Sequence, residues 1–295
     1  MQVVLVTGGK GFVGSHVVSE LKNRGYSVSA PGRDLYDFSK PADCLWAMQN
    51  ADGVIHVAGR LGGIKTNMEN PATMMYDNLI VGVNVLEAAR KVGIKKVLNV
   101  GSVCSYPLKP KSFPFREEHF FDGQPEPSNG AYGIAKRTIV EMGQAYRKQH
   151  GMNIVSVIMA NMYGPGDHSS HVVPMIIDKC LHGDTYITAW GSGKPTRDFL
   201  YVEDAARCIV DAFERYDGIC PMNIGTGVET SIRTVVEEIC AETEYTGDVE
   251  WDDRKPDGQM RRCLDVSLAE GFNIVASTSF REGIRKTVAW KTSAS

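Results

Sequence analysis

No Cys-x-x-Cys pair occurs among the seven cysteines of this 295-residue chain. An odd, scattered set fits neither a disulfide framework nor a zinc site, so no metal is expected and the thiols imply a reducing, cytoplasmic setting. Cys180, Cys208 and Cys240 fall within apolar helical patterns and read as small core residues. Long hydrophobic runs are missing as well: none approaches the roughly 20 residues that span a bilayer. The opening Met1-Gln2-Val3-Val4-Leu5-Val6-Thr7-Gly8 is a strand entering a glycine turn rather than a charged segment followed by a cleavable apolar one. Nor is there an excess of one charge. With 32 basic and 35 acidic residues in no blocks, the net charge is -3, which leaves no electrostatic footprint for nucleic acid or an anionic membrane. The expected partner is a small molecule.

Short Val/Ile/Leu-rich runs at 2–7, 27–30, 53–58, 96–101 and 153–160 alternate with amphipathic stretches at 12–23, 72–91 and 131–149. Strand, helix, strand in repetition predicts parallel strands with right-handed crossovers, hence a Rossmann-type doubly wound α/β sheet. After Gly164-Pro165-Gly166 the rhythm shortens, with helix patterns at 173–181, 205–214 and 232–242 and strand patterns at 185–189 and 197–202. These predict a smaller α/β substrate-binding lobe over the strand ends. The expected division is a dinucleotide-binding domain over 1–165 and the lobe over 166–295, interleaved at a soft boundary.

Gly8-Gly9-Lys10-Gly11-Phe12-Val13-Gly14 follows the first strand and opens a helix, the context a phosphate-binding turn requires. The run fits G-x-G-x-x-G from Gly9 and G-x-x-G-x-x-G from Gly8. Where an NAD site carries an acidic residue for the ribose 2'-hydroxyl, this chain has Pro31-Gly32-Arg33. Arg33, helped by Lys10, can pair with a 2'-phosphate, which favours NADP over NAD; the alternative is a solvated surface arginine. Asp34 would face the adenine region.

Tyr132 and Lys136, four residues apart, share one helix face, and the lysine charge is expected to lower the tyrosine pKa. Alone, such a pair is equally an ordinary half-exposed face. Ser102 ends the strand from Lys96, which brings its hydroxyl to the C-terminal edge of the sheet where ligands bind. A donating Ser, a proton-passing Tyr and a Lys on the nicotinamide ribose make a complete hydride-transfer site.

The glycine turn, Val57-Ala58-Gly59, Ser102, Tyr132 with Lys136, Asn161-Met162-Tyr163-Gly164-Pro165 and Arg197-Asp198-Phe199-Leu200-Tyr201-Val202-Glu203-Asp204 together resemble the extended short-chain dehydrogenase/reductase family. Gly62-Gly63-Ile64, Gly101-Ser102-Val103-Cys104-Ser105-Tyr106-Pro107, Ser170-His171-Val172-Val173-Pro174 and Trp190-Gly191-Ser192-Gly193 are similar to one branch of it. That branch converts GDP-4-keto-6-deoxy-D-mannose to GDP-L-fucose, epimerising C3 and C5 and then reducing the 4-keto group with NADPH. The resemblance implies that Cys104 and His171 are the epimerisation acid/base pair. It further implies that Lys179, Trp190, Arg197, Asp257 and Arg262 hold the nucleotide sugar with Ser102 and Asn161. Val100, Gly101, Met159, Met162 and His171 would line the cofactor, with Asn161 near the nicotinamide, and the helices over 72–91 and 131–149 would pair in a homodimer. Bland alternatives stand beside these: Cys104 as a small strand-end residue, His171 lining a helix start, Trp190 packing the lobe. A related nucleotide-sugar 4-reductase, 4-dehydrogenase or 4-epimerase, or a non-catalytic dinucleotide sensor, would keep the same fold.

Overall fold

The computed structural model describes residues 2–183, 185–255 and 257–294. The first part of the chain runs β1 (Val3–Thr7), α1 (Phe12–Asn23), β2 (Ser27–Ser29), α2 (Pro41–Met48), β3 (Gly53–His56), α3 (Ile64–Glu69), α4 (Pro71–Val92), β4 (Lys96–Ser102), α5 (Gly130–His150) and β5 (Asn153–Met159). There follow β6 (Asn161–Tyr163), α6 (Val172–His182), β7 (Tyr186–Trp190), β8 (Thr196–Tyr201), α7 (Val202–Arg215) and β9 (Met222–Ile224). The chain ends with β10 (Glu229–Ser231), α8 (Ile232–Glu242), β11 (Asp248–Asp252), β12 (Arg261–Arg262), α9 (Ser267–Gly271) and α10 (Phe280–Ala294).

A six-stranded sheet in the order β2-β1-β3-β4-β5-β9 forms the centre, and all its pairs are parallel. The doubly wound sheet expected from the alternation is therefore present. Its inner strands are apolar on both faces because both are covered. Val13, Val17 and Leu21 of α1 and Ile209 and Phe213 of α7 belong to one buried cluster with this sheet. Cys44 and Met48 of α2, Val85, Leu86 and Ala89 of α4 and Ile139 of α5 make a second. The order reverses between β1 and β3, which opens the crevice at their C-terminal ends where ligands of such sheets bind.

The smaller layer is built on β8, which pairs in parallel with β6 and β12 and antiparallel with β10; β7 and β11 form a separate parallel pair. Val173, Ile176 and Ile177 of α6 pack with Val235 and Ile239 of α8 and Ile284 and Val288 of α10. The strand expected over 153–160 stops one residue early. The Ala160 N–H bonds the Ile224 carbonyl at the sheet edge, and the chain then crosses to pair with β8. Helix α7 starts at Val202, directly after β8, so that its buried face runs from Val202 through Phe213. Cys180 and Cys208 are buried as expected, whereas Cys240 is half-buried. Among the described residues no helix is long and apolar enough to cross a membrane.

Candidate functional site

The turn after β1 resolves which glycines matter. Gly8 has φ +74°, and a Cβ there would meet Ala58 backbone at 2.8 Å; a Cβ on Gly14 would lie 2.1 Å from the Gly8 carbonyl oxygen. The Gly11 N–H closes the turn on that same oxygen at 2.9 Å. Gly8, Gly11 and Gly14 are thus the framework, and Gly9 packs on Ala30. Gly11 caps α1 with no side-chain hydrogen bond, so the first-turn N–H groups stay open to a phosphate. Phe12 flanks this end next to Gly166, while Val13 faces the core. The cradle fits a dinucleotide pyrophosphate, which needs close backbone approach and a free helix N-terminus.

Arg33 is 85% exposed, and its ion pair among the described residues is a 3.8 Å contact to Asp37. Lys10 reaches Asp34 at 3.4 Å, both well exposed. Lys10 and Asp34 therefore engage each other across Gly32, and Arg33 is the less encumbered cation at the mouth of β2.

Beneath the turn lies a buried group that the sequence reasoning missed. His56 ends β3 with Nδ1 2.7 Å from the Thr7 hydroxyl. Burial, with the charge of Lys136 nearby, pushes His56 down from 6.5 to about 3. Between these two pH values the unfolded chain takes up a proton that the folded chain refuses, so stability falls as pH drops below 6.5, by about 1.4 kcal/mol per unit. The urea midpoint should fall more steeply between about pH 6 and pH 4 in the wild type than in His56→Asn. Equal slopes would refute the contribution.

Lys136 is buried on α5 and donates to the Val100 carbonyl oxygen at 3.2 Å. A Cβ on Gly59 would lie 3.2 Å from its Nζ, so Val100, Gly59 and Lys136 meet at one point. Burial lowers Lys136 to about 8. Tyr132, also buried, moves the other way from the sequence expectation. Burial raises its phenol, the nearby Cys104 adds to the rise, and only hydrogen bonding with Ser102 opposes it. Desolvation of the anion dominates, and the Lys136 ammonium is engaged at Val100 instead. The phenol is held protonated.

Ser102 and Cys104 belong to one tight turn. The Ser102 Oγ accepts the Cys104 N–H at 3.2 Å, which fixes the hydroxyl at the strand end. The turn presses on α5 so closely that a Cβ on Gly133 would lie 2.3 Å from the Cys104 carbonyl oxygen; the glycine after Tyr132 permits this approach. The Cys104 Sγ receives the Asn129 Nδ2 and the Arg262 Nη1, each at 3.4 Å. Asn129 was not foreseen; only its place three residues before Tyr132 hinted at it. Gly101 packs on Ile158, and Met159 pairs in register with Ser102 and is buried.

Two guanidinium groups face this turn without a carboxylate partner among the described residues. Arg262 is 6% exposed. Arg197 donates to the carbonyl oxygens of Thr196, Gln259 and Asp257; burial, then the like charge of Arg262, lowers it to about 9. One buried and one half-buried cation of this kind fit an anionic ligand. Asn161 bonds the Asp198 carbonyl at 3.0 Å, and Met162, half-buried, pairs with Leu200. Lys179 donates to the Thr188 carbonyl at 2.8 Å and lines an open cleft of about 350 Å³ with residues 185–188. Trp190 is 44% exposed rather than packed into the lobe, with the Lys255 ammonium 5.2 Å from its ring centre. The Asp257 carboxylate is committed to the N–H and hydroxyl of Ser192 at 2.7 and 2.8 Å, so it staples the turn after Trp190.

His171 stands apart. It is exposed at the start of α6, and its Nδ1 lies 2.9 Å from the Ser169 hydroxyl. None of its hydrogen bonds among the described residues reaches Cys104 or Tyr132. The adjoining Ser170 hydroxyl does lie against Gly63, at the N-cap of α3. The cluster thus unites Ser102, Cys104, Tyr132, Asn129 and Arg262, with Lys136 beneath and His171 on a separate loop.

The NAD dependent epimerase/dehydratase family matches residues 4–225. The chain is 36% identical over 294 residues to GDP-L-fucose synthase of Sinorhizobium fredii, covering 96% of this chain and 93% of that protein. Among solved structures it is similar to the NADP-bound GDP-L-fucose synthetase of Naegleria fowleri, with 28% identity, TM-score 0.89 and 99% and 94% coverage. A GDP-6-OMe-4-keto-L-xylo-heptose reductase of C. jejuni superposes with TM-score 0.94 over 100% and 98% of the two chains; at 22% identity it supports the fold alone.

Proposed function

The chain belongs to the NAD dependent epimerase/dehydratase family, and from that membership we propose that it is an NADPH-dependent epimerase/reductase converting GDP-4-keto-6-deoxy-D-mannose to GDP-L-fucose. One observation carries the reading. Cys104, a carbon acid/base by its chemistry, sits two residues from Ser102 on the turn that packs against Tyr132, so proton transfer at carbon and at oxygen can address one substrate.

The cofactor is NADP(H), as in the solved N. fowleri relative, with its pyrophosphate on the glycine turn and Arg33 on the 2'-phosphate. Its chemistry is hydride delivery to the 4-keto carbon. Arg197 and Arg262 hold the diphosphate, while Lys179 and Trp190 face the rest of the nucleotide. Cys104 removes or returns the proton on a carbon next to the ketone, and Ser102 and Tyr132 hold the oxygen on which charge develops. In reduction Tyr132 gives its proton to that oxygen, with Lys136 orienting the nicotinamide ribose. We also propose a cytoplasmic homodimer pairing α4 and α5, where Tyr76 is exposed.

The decisive experiment is incubation with the GDP-4-keto sugar in deuterated water without NADPH. Deuterium at C3 and C5 is expected; its absence at both would overturn the epimerase assignment. Arg33→Ser should weaken NADPH binding by about 10–100-fold relative to NADH, the range of a charge-assisted hydrogen bond. An unchanged preference, read by fluorescence titration, would remove Arg33 from the site.

A second reading draws on the position of His171. With no hydrogen bond to Cys104 among the described residues, it supports a nucleotide-sugar 4-reductase that does not invert both carbons. Deuterium at one carbon only would favour it.

A further inference from the structure

Behind Cys104, bonded to Arg262, lies a buried amide to which the proposed reaction gives no role. Gln259 is 8% exposed. Its Nε2 donates to the Leu108 and Pro107 carbonyl oxygens at 3.0 and 3.4 Å. Those two acceptors fix the amide's orientation, so Oε1 faces the other way and accepts the Arg262 Nε at 3.2 Å. The guanidinium, held by that edge, then directs Nη1 at the Cys104 sulfur. Pro107 and Leu108 follow the Cys104 turn in sequence, so the chain of bonds closes on the segment it began from.

We propose that Gln259 is a positioning residue for the epimerisation chemistry: through Arg262 it places a fixed positive charge against the Cys104 sulfur. The inference rests on the epimerase/reductase reading for its catalytic meaning, but the contact itself is independent of any sugar. Arg262 lies in the interior with no carboxylate partner among the described residues, and the side chains that accept from it there are the neutral Gln259 amide and the Cys104 sulfur. An amide orients the guanidinium without cancelling its charge, whereas a carboxylate at 259 would do both. A guanidinium at hydrogen-bond distance stabilises sulfur as an anion, the form that takes a proton from carbon. When the C–H bond breaks, the proton passes to sulfur and the electron pair to the enolate oxygen at Ser102 and Tyr132. The charge facing Arg262 is thereby exchanged for charge facing the hydroxyl pair. The residue at 259 therefore tunes proton transfer at carbon and leaves hydride transfer to the groups on the other side of the turn.

The test uses full-length Gln259→Leu, which removes the amide, and Gln259→Glu, which keeps its shape but neutralises Arg262. First, Cys104 alkylation by iodoacetamide is followed by peptide mass spectrometry in the free protein, with NADPH binding and thermal melting as controls of folding. Both variants should be alkylated about 10-fold or more slowly, the scale of one charge-assisted hydrogen bond, with Gln259→Glu the slower. Second, in Gln259→Leu, which leaves the Arg262 charge available to the diphosphate, solvent deuterium exchange into the keto sugar should fall by a similar factor, on kcat rather than KM, while reduction of an already epimerised ketone changes far less. Wild-type alkylation rates in both variants, or equal losses of exchange and reduction, would overturn the proposal. A wild-type protein that exchanges no deuterium would defeat the epimerase reading instead, and the alkylation result would still decide whether Gln259 controls Cys104.

Discussion

Tyr132→Phe is expected to slow 4-keto reduction by about 10²–10⁴-fold, the usual range for losing a positioned acid, with NADPH affinity within about two-fold of wild type. The reason lies in the state of the phenol. Buried on α5 and opposed only by Ser102, it is held above its ordinary value, so the resting site carries a proton for a developing alkoxide rather than a base seeking one. That bias suits reduction of a ketone more than oxidation of an alcohol. Lys136, brought down to about 8 by burial, gives the profile its upper limb: the reduction rate should decline as pH rises through about 8, as the ammonium loses its charge. Single-turnover reduction of the epimerised ketone, followed by NADPH absorbance, measures the step. A Phe variant within about five-fold of wild type would show that another group, with Ser102 the first candidate, delivers the proton.

The expectation that Lys136 would lower Tyr132 was sound pairwise physics applied without knowledge of burial. Helical spacing shows that two side chains share a face, but not that the face is dry or that the lysine is engaged by a strand carbonyl. The same limit governs the rest of the comparison. The glycine turn, the parallel strands and Ser102 at a strand end were legible because each follows from local pattern: apolar runs, helix periodicity, and glycine where backbone must approach backbone. Short strands such as β9 and β12 were not, since three or two residues carry no period and exist only through long-range pairing. Asn129, Gln259 and His56 were missed for a related reason. Each acts through a partner remote in sequence, Gln259 through carbonyls at 107 and 108, and nothing in a single amide or imidazole announces such a partner. His171 was named from its motif, yet a motif fixes neighbours along the chain and not the distance to Cys104.

That separation makes Cys104→Ser the sharper test of substrate chemistry. A serine hydroxyl fits the same turn and can still accept from Asn129 and Arg262, but alcohols are far weaker acids than thiols and hold a carbon-derived proton poorly. Exchange at C3 and C5 should fall by about 10²–10⁴-fold, while a ketone supplied already epimerised is reduced nearly as fast as by the wild type, because Ser102, Tyr132 and Lys136 are untouched. Given the GDP-4-keto sugar and NADPH, the variant should reduce it without inversion, a product that proton NMR separates from the epimerised one. Comparable loss of both activities would mean that the thiol holds the turn against Gly133 rather than moving protons. His171→Gln then separates the two carbon positions. If Cys104 serves one face of the sugar and His171 the other, the histidine variant keeps exchange at the carbon but loses inversion, since a proton removed by sulfur returns from sulfur. If inversion survives, the opposite-face acid is a different group, and the exposed His171, bonded to Ser169, has no part in the reaction.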